Sequence, residues 1–108
     1  MPSEAHQAAS ELNTPERDAK ALELRSKGRS FAGVAKTLGY DKARDANLAF
    51  NRALRRLPPD ELDVARQSET ARLDALTTRI EALDTLTPDD RTRQLRIVEV
   101  LRKRLLAD

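Results

Sequence analysis

"RSFAGVAKTLGYDKARDANLAFNRALRR" (Arg29–Arg56) is the stretch whose reading decides the fold. It gathers seven Lys or Arg, two Asp and all three of the chain's Phe and Tyr residues. Ser30 is placed to cap a short helix in which Phe31, Val34, Ala35 and Leu38 recur at helical spacing, and Gly39 is placed to end it. After Tyr40, Asp41 is positioned to cap a third helix running to about Arg56. With Phe50 at the centre of its inner face, a step of about 100° per residue puts Ala43, Ala46, Ala53, Leu54 and Leu57 within roughly 60° of it. The opposite face then reads Arg44, Asp45, Leu48, Asn51, Arg52 and Arg55.

Upstream, "NTPERDAKALELRSKG" starts a helix in the same chemical language. Thr14 suits the cap and Pro15 the first turn, where Glu16 and Asp18 meet the positive helix end. Ala19, Ala21, Leu22 and Leu24 supply its apolar side, and Gly28 follows Lys27 as the stop, so the first helix is expected over Pro15–Lys27. Residues 1–14, a polar lead containing the lone His6, are expected to be a flexible, solvated tail.

The charge is unevenly placed. Residues 15–58 carry eleven Lys or Arg against five Asp or Glu, whereas residues 59–108 carry nine against eleven. Such asymmetry points toward an anionic partner for the basic half, although a solvated basic face is the commoner reason for any single cluster.

On these residues "SFAGVAKTLGY" resembles the second helix and turn of a helix-turn-helix DNA-binding domain, with Ala35 and Gly39 at the small positions and Val34, Leu38 and Tyr40 pointing inward. The wider order, through "NRALRRL" and on into two further helices, is similar to small-terminase-like helix-turn-helix proteins of phages and prophages. That resemblance implies double-stranded DNA as partner, read by the third helix. The expected contacts are Lys27, Arg29, Ser30, Lys36, Lys42, Arg44, Asn47, Leu48, Asn51, Arg52, Arg55 and Arg56. It further implies recognition of viral DNA for packaging and recruitment of a large terminase ATPase subunit. A transcriptional regulator or a nucleoid-associated protein would use the same residues, and a helical protein–protein adaptor would use the same third helix for protein contact.

"LPPDEL" breaks the chain, with Pro58 and Pro59 ending the third helix and Asp60 expected to cap the next. Leu73, Leu76, Ile80 and Leu83 keep a 3-4-3 spacing behind a more polar turn around Arg66 and Glu69. Thr87 caps and Pro88 opens a last helix, where Asp89 and Asp90 serve the helix start rather than a metal, and Leu95, Val98, Leu101 and Leu105 form one stripe. Ile97, Val100 and Leu106 widen that stripe beyond what two helices can cover, which predicts a homo-oligomer formed through these helices, with burial against the first domain in an intramolecular five-helix bundle as the alternative. The expected organisation is all-α: a tail over 1–14, a helix-turn-helix domain over 15–57, and an antiparallel helical hairpin over 58–108.

The totals exclude much chemistry. There is no Cys and one His, with no Gly-rich phosphate loop and no metal-ligand spacing, so neither an enzyme nor a bound metal or cofactor is expected. No apolar run approaches membrane-spanning length and the N-terminal residues lack a signal-type apolar region, which predicts a cytoplasmic protein, in the host cytoplasm if phage-encoded, without a membrane partner.

Overall fold

The structure of the chain, a computed structural model, describes residues 15–107. The expected tail over 1–14, with His6 and the Thr14 cap, lies outside the described residues. Those described form five α-helices and no strand, so the chain is all-α. They are α1 (Pro15–Ser26), α2 (Phe31–Leu38), α3 (Ala43–Arg55), α4 (Pro59–Ala82) and α5 (Pro88–Leu106). The chain divides into two compact units between Leu57 and Pro58.

In the first unit, α1 ends one residue before the expected Lys27. The Lys27 N–H still reaches back to the Glu23 carbonyl at 3.1 Å, and Gly28 follows with φ 97°. The inward face of α1 differs from the apolar side expected of it. Ala19 is exposed, while Arg17 and Asp18 are buried beside Ala21. Both side chains are held by partners on other segments.

The short α2 is built as its sequence specifies. The Ser30 Oγ accepts from the Gly33 N–H at 3.0 Å, meeting one of the donors a helix start leaves open. At the other end Gly39 takes the left-handed conformation, φ 79°, and the N–H groups of Gly39 and Tyr40 both donate to the Ala35 carbonyl. A side chain at that φ crowds its own backbone, so Gly39→Ala is expected to lower stability by about 1–2 kcal/mol, and Gly39→Asn by less. Denaturant midpoints of the two variants check this; equal midpoints would remove the strain argument.

α3 starts later than predicted. Asp41 lies in a bend, Lys42 occupies the cap position without a side-chain cap bond, and its carbonyl accepts from the Asp45 N–H at 3.0 Å. Ala43, expected inside, is exposed because it sits in the first turn, short of the packed middle of the helix. α3 packs against both α1 and α2. Phe50 meets Phe31 edge to face at 5.4 Å, Val34 and Leu54 are fully enclosed, and Ala21, Ala46 and Ala49 are small enough to let the helix backbones approach.

In the second unit α4 begins at Pro59, with Pro58 at the cap position. Asp60 is therefore not the cap; with Glu61 it lies in the first turn, facing the positive helix end, because proline is well suited to that first helical position. The Thr87 Oγ1 accepts from the Asp90 N–H at 3.1 Å and caps α5 as expected. The two helices lie along each other in opposite directions: Arg66 donates to the Ala107 carbonyl, Arg102 to the Thr77 hydroxyl and Arg91 to the Leu83 carbonyl. Leu73, Ile80, Val98 and Leu105 are buried between them. In the polar turn around Arg66 and Glu69, Glu69 is buried and lies 3.6 Å from Arg72.

Candidate nucleic-acid interface

The first unit carries the basic excess, and its partners decide which cations remain available to a ligand. Two guanidinium groups, that of Arg52 in α3 and that of Arg56 just past its end, pair with a carboxylate on α1. Arg52 donates from Nε to Asp18 Oδ2 and from Nη2 to Oδ1, both at 3.0 Å, and Arg56 donates from Nη1 to Oδ2 at 2.7 Å. The Asp18 side chain is only 2% exposed. Burial pushes its carboxyl up, but the hydrogen bonds and positive charge of Arg52 and Arg56 outweigh that and hold it below the usual value. The Arg52 guanidinium is correspondingly pushed up by its bond to Asp18.

A third arginine is also structural. Arg17 is buried, donates from Nη2 to the Leu38 carbonyl at 3.0 Å, and lies 3.7 Å from the centroid of the Tyr40 ring. It thereby ties α1 to the end of α2 and stacks on the turn that follows. Burial raises the Tyr40 hydroxyl above its usual value. Arg25 stacks on Phe31 in the same manner, 4.1 Å from the ring centroid.

The faces of α3 follow from its double packing. Ala46, Asn47, Ala49, Phe50, Asn51, Ala53 and Leu54 are all buried. On the helical wheel they span roughly 100° to either side of Phe50, a wider arc than one neighbouring helix would cover. Asn47 and Asn51 fall inside that arc. The expected base contact by Asn51 is therefore corrected: its side chain is 3% exposed and its Nδ2 donates to the Asn47 carbonyl at 3.1 Å. Asn47 is buried likewise and is not presented to a ligand.

What is left outside is a narrow strip. Arg44 and Arg55 are exposed and Leu48 half-exposed, at i, i+11 and i+4 along one side of α3. Arg52, Asp45 and Arg56 edge the strip on the side of the Asp18 clamp. Arg29, Ser30, Lys36 and Lys42 are exposed as well, and Lys36, Lys42, Arg44 and Arg55 form no ion pair among the described residues. Lys27 is paired with Glu23 on its own helix at 3.2 Å, an exposed contact of small energy.

An open hollow of about 330 Å³ lies where α2 turns into α3, lined by Arg17, Gly39, Tyr40, Asp41, Asp45, Leu48 and Arg52. Its walls carry both signs of charge, so it offers no concentrated field to an anion. Among the described residues no group of His, Asp or Glu has metal-binding geometry, and no helix is long and apolar enough to cross a membrane.

The residues expected to join subunits divide in two. Leu73, Ile80, Val98 and Leu105 are consumed by the seam between α4 and α5, Leu76, Leu95 and Leu101 are half-buried, and Leu83 is exposed. Val64, Ile97, Val100 and Leu106 are the other large apolar side chains left exposed.

Sequence reasoning missed Asp18 and Arg17 as structural centres. Both were assigned to the helix start and the charge total. The only advance sign was that Arg52 and Arg56, four residues apart, share a helix side that a buried acid could serve. No protein-family model, curated protein or solved structure matches the chain.

Proposed function

We propose that the first unit is a helix-turn-helix that binds double-stranded DNA without catalysis, with α3 entering the major groove. The observation that carries this reading is the strip on α3. Arg44 and Arg55 stand exposed beside Leu48 with no acid partner among the described residues, and Lys36 and Lys42 likewise have none there, although a buried carboxylate has already taken its share of the unit's arginines. Unpaired guanidinium groups offer planar forks to guanine edges or phosphates, and Leu48 offers an apolar contact to a thymine methyl. Arg29, Ser30 and Lys36, around α2, suit backbone contacts that set the register.

The test is duplex binding across a salt series for the parent chain and for Arg44→Ala with Arg55→Ala. Neither residue is part of the core, so the double variant is expected to keep its circular dichroism and melting temperature. Its log–log salt slope is expected to fall by about 2, roughly one unit per lost phosphate-range cation. An unchanged slope, or no salt-dependent binding by the parent chain, overturns the reading and moves the first unit to the protein-adaptor class.

The second unit is proposed to be a helical hairpin that joins copies of the chain. The exposed Ile97 and Val100 support association through the outer side of α5 rather than through the seam residues. Several modules on one duplex would raise affinity by avidity. A packaging role with a large terminase ATPase subunit, in the host cytoplasm, rests on the resemblance of the five-helix order alone. Transcriptional and nucleoid roles use the same contacts.

A further inference from the structure

One carboxylate needs one guanidinium. Arg52 already engages both oxygens of Asp18 in the two-pronged geometry that pairs a fork with a carboxylate, so Arg56 is not required to neutralise it. The three charges leave a net positive unit, and it is not hidden: the Arg56 side chain is 48% exposed, against 36% for Arg52 and 2% for Asp18. Arg56 spends one Nη1 hydrogen on Asp18. Its Nε–H, both Nη2 hydrogens and its second Nη1 hydrogen have no acceptor among the described residues. An arginine fixed at one corner and open at the others has lost rotamer freedom before any ligand arrives, which lowers the ordering cost of gripping an anion. It stands at the end of α3, next to Arg55 in sequence, at the edge of the exposed strip.

We propose that Asp18 is a positioning residue that holds the Arg56 guanidinium ready for a DNA phosphate. This rests on the DNA-binding reading of the first unit and adds an acid to a site otherwise composed of bases. It also carries an unusual sign. If Asp18 only braced the fold, neutralising it would add a positive charge to the protein and strengthen binding to a polyanion. If it aims Arg56, neutralising it weakens binding in spite of the added charge.

The experiment is a double-mutant cycle of Asp18→Asn and Arg56→Ala, read by melting temperature and by affinity for a fluorescent duplex at several salt concentrations. Arg56→Ala leaves the Asp18–Arg52 pair in place; it is expected to fold and to lose about one unit of salt slope. Asp18→Asn is expected to weaken binding roughly three- to tenfold, the scale of one charge-assisted hydrogen bond. In the Arg56→Ala background the same change should leave binding unweakened while still lowering the melting temperature. Should Asp18→Asn fail to fold, Asp18→Glu replaces it in the cycle, keeping the charge and moving the carboxylate by one methylene. Equal or tighter binding by the Asp18 variant, or equal weakening in both backgrounds, overturns the positioning role. Absence of salt-dependent binding by the parent chain is a different result, since it removes the DNA reading itself.

Discussion

A Phe50→Ala chain is expected to lose about 3–5 kcal/mol of stability in its first unit, enough to abolish cooperative folding of a unit this small. Phe50 is buried at the centre of the α3 face, against Phe31 on α2, and Ala46, Ala49 and Ala53 are buried on the same face. Alanines have no longer rotamer with which to fill the void, so the lost transfer energy and the cavity add almost fully. Thermal unfolding of the variant, followed by two-dimensional NMR, checks the expectation: amide signals of residues 15–57 should collapse toward unfolded positions. A cooperative transition within a few degrees of the parent would mean that α1 and α2 hold together without the aromatic pair.

Removing the carboxylate beneath α3 is expected to have the second-largest effect. Breaking a buried ion pair costs about 3–5 kcal/mol when the survivor stays buried. Here the survivors, Arg52 and Arg56, are partly exposed and can turn to water, so the discounted expectation for Asp18→Ala is about 2 kcal/mol. Acid should produce a related loss in the parent chain. The folded carboxyl sits below its usual 3.8. The unfolded chain therefore takes up the proton first, and the stabilisation is complete above that value and disappears as pH falls through the lowered one. Urea midpoints measured between neutral pH and strongly acidic pH should show this decline, and the Asp18→Ala series should lack that component. Parallel pH profiles for the two chains would remove the ion pair as its source.

These two residues also mark how far the sequence can be read. Ser30, Gly39 and Thr87 act through bonds to groups three or four residues away, so their roles follow from local spacing. Phe50 was placed correctly by helical periodicity, because one helix's own pattern reveals where its centre of burial lies. The width of the buried arc was not revealed. Asn47 and Asn51 look solvent-facing if α3 has one neighbour, and become interior only because it has two. Asp18 meets Arg52 and Arg56 across 34 and 38 residues, and nothing in the spacing of a first-turn acid distinguishes that partnership from ordinary service to a helix end. Asp60 lost the cap position for a simpler reason: two prolines precede it, and the second is itself an excellent first helical residue. Of the proposed contacts, the exposed Lys36, Lys42, Arg44 and Arg55 are among those whose identity needed only charge and periodicity.

Tyr40, stacked beneath Arg17 at the turn into α3, is the chain's sole tyrosine; there is no tryptophan, and both phenylalanines lie in the same unit. Every chromophore that absorbs in the near ultraviolet therefore belongs to the first unit, and the second is optically silent there. Near-ultraviolet dichroism and tyrosine emission will report the first unit alone, while far-ultraviolet dichroism reports the helices of both. A single untagged sample thus yields two separable melting curves, and any gap between them measures how independently the two halves of the polypeptide unfold.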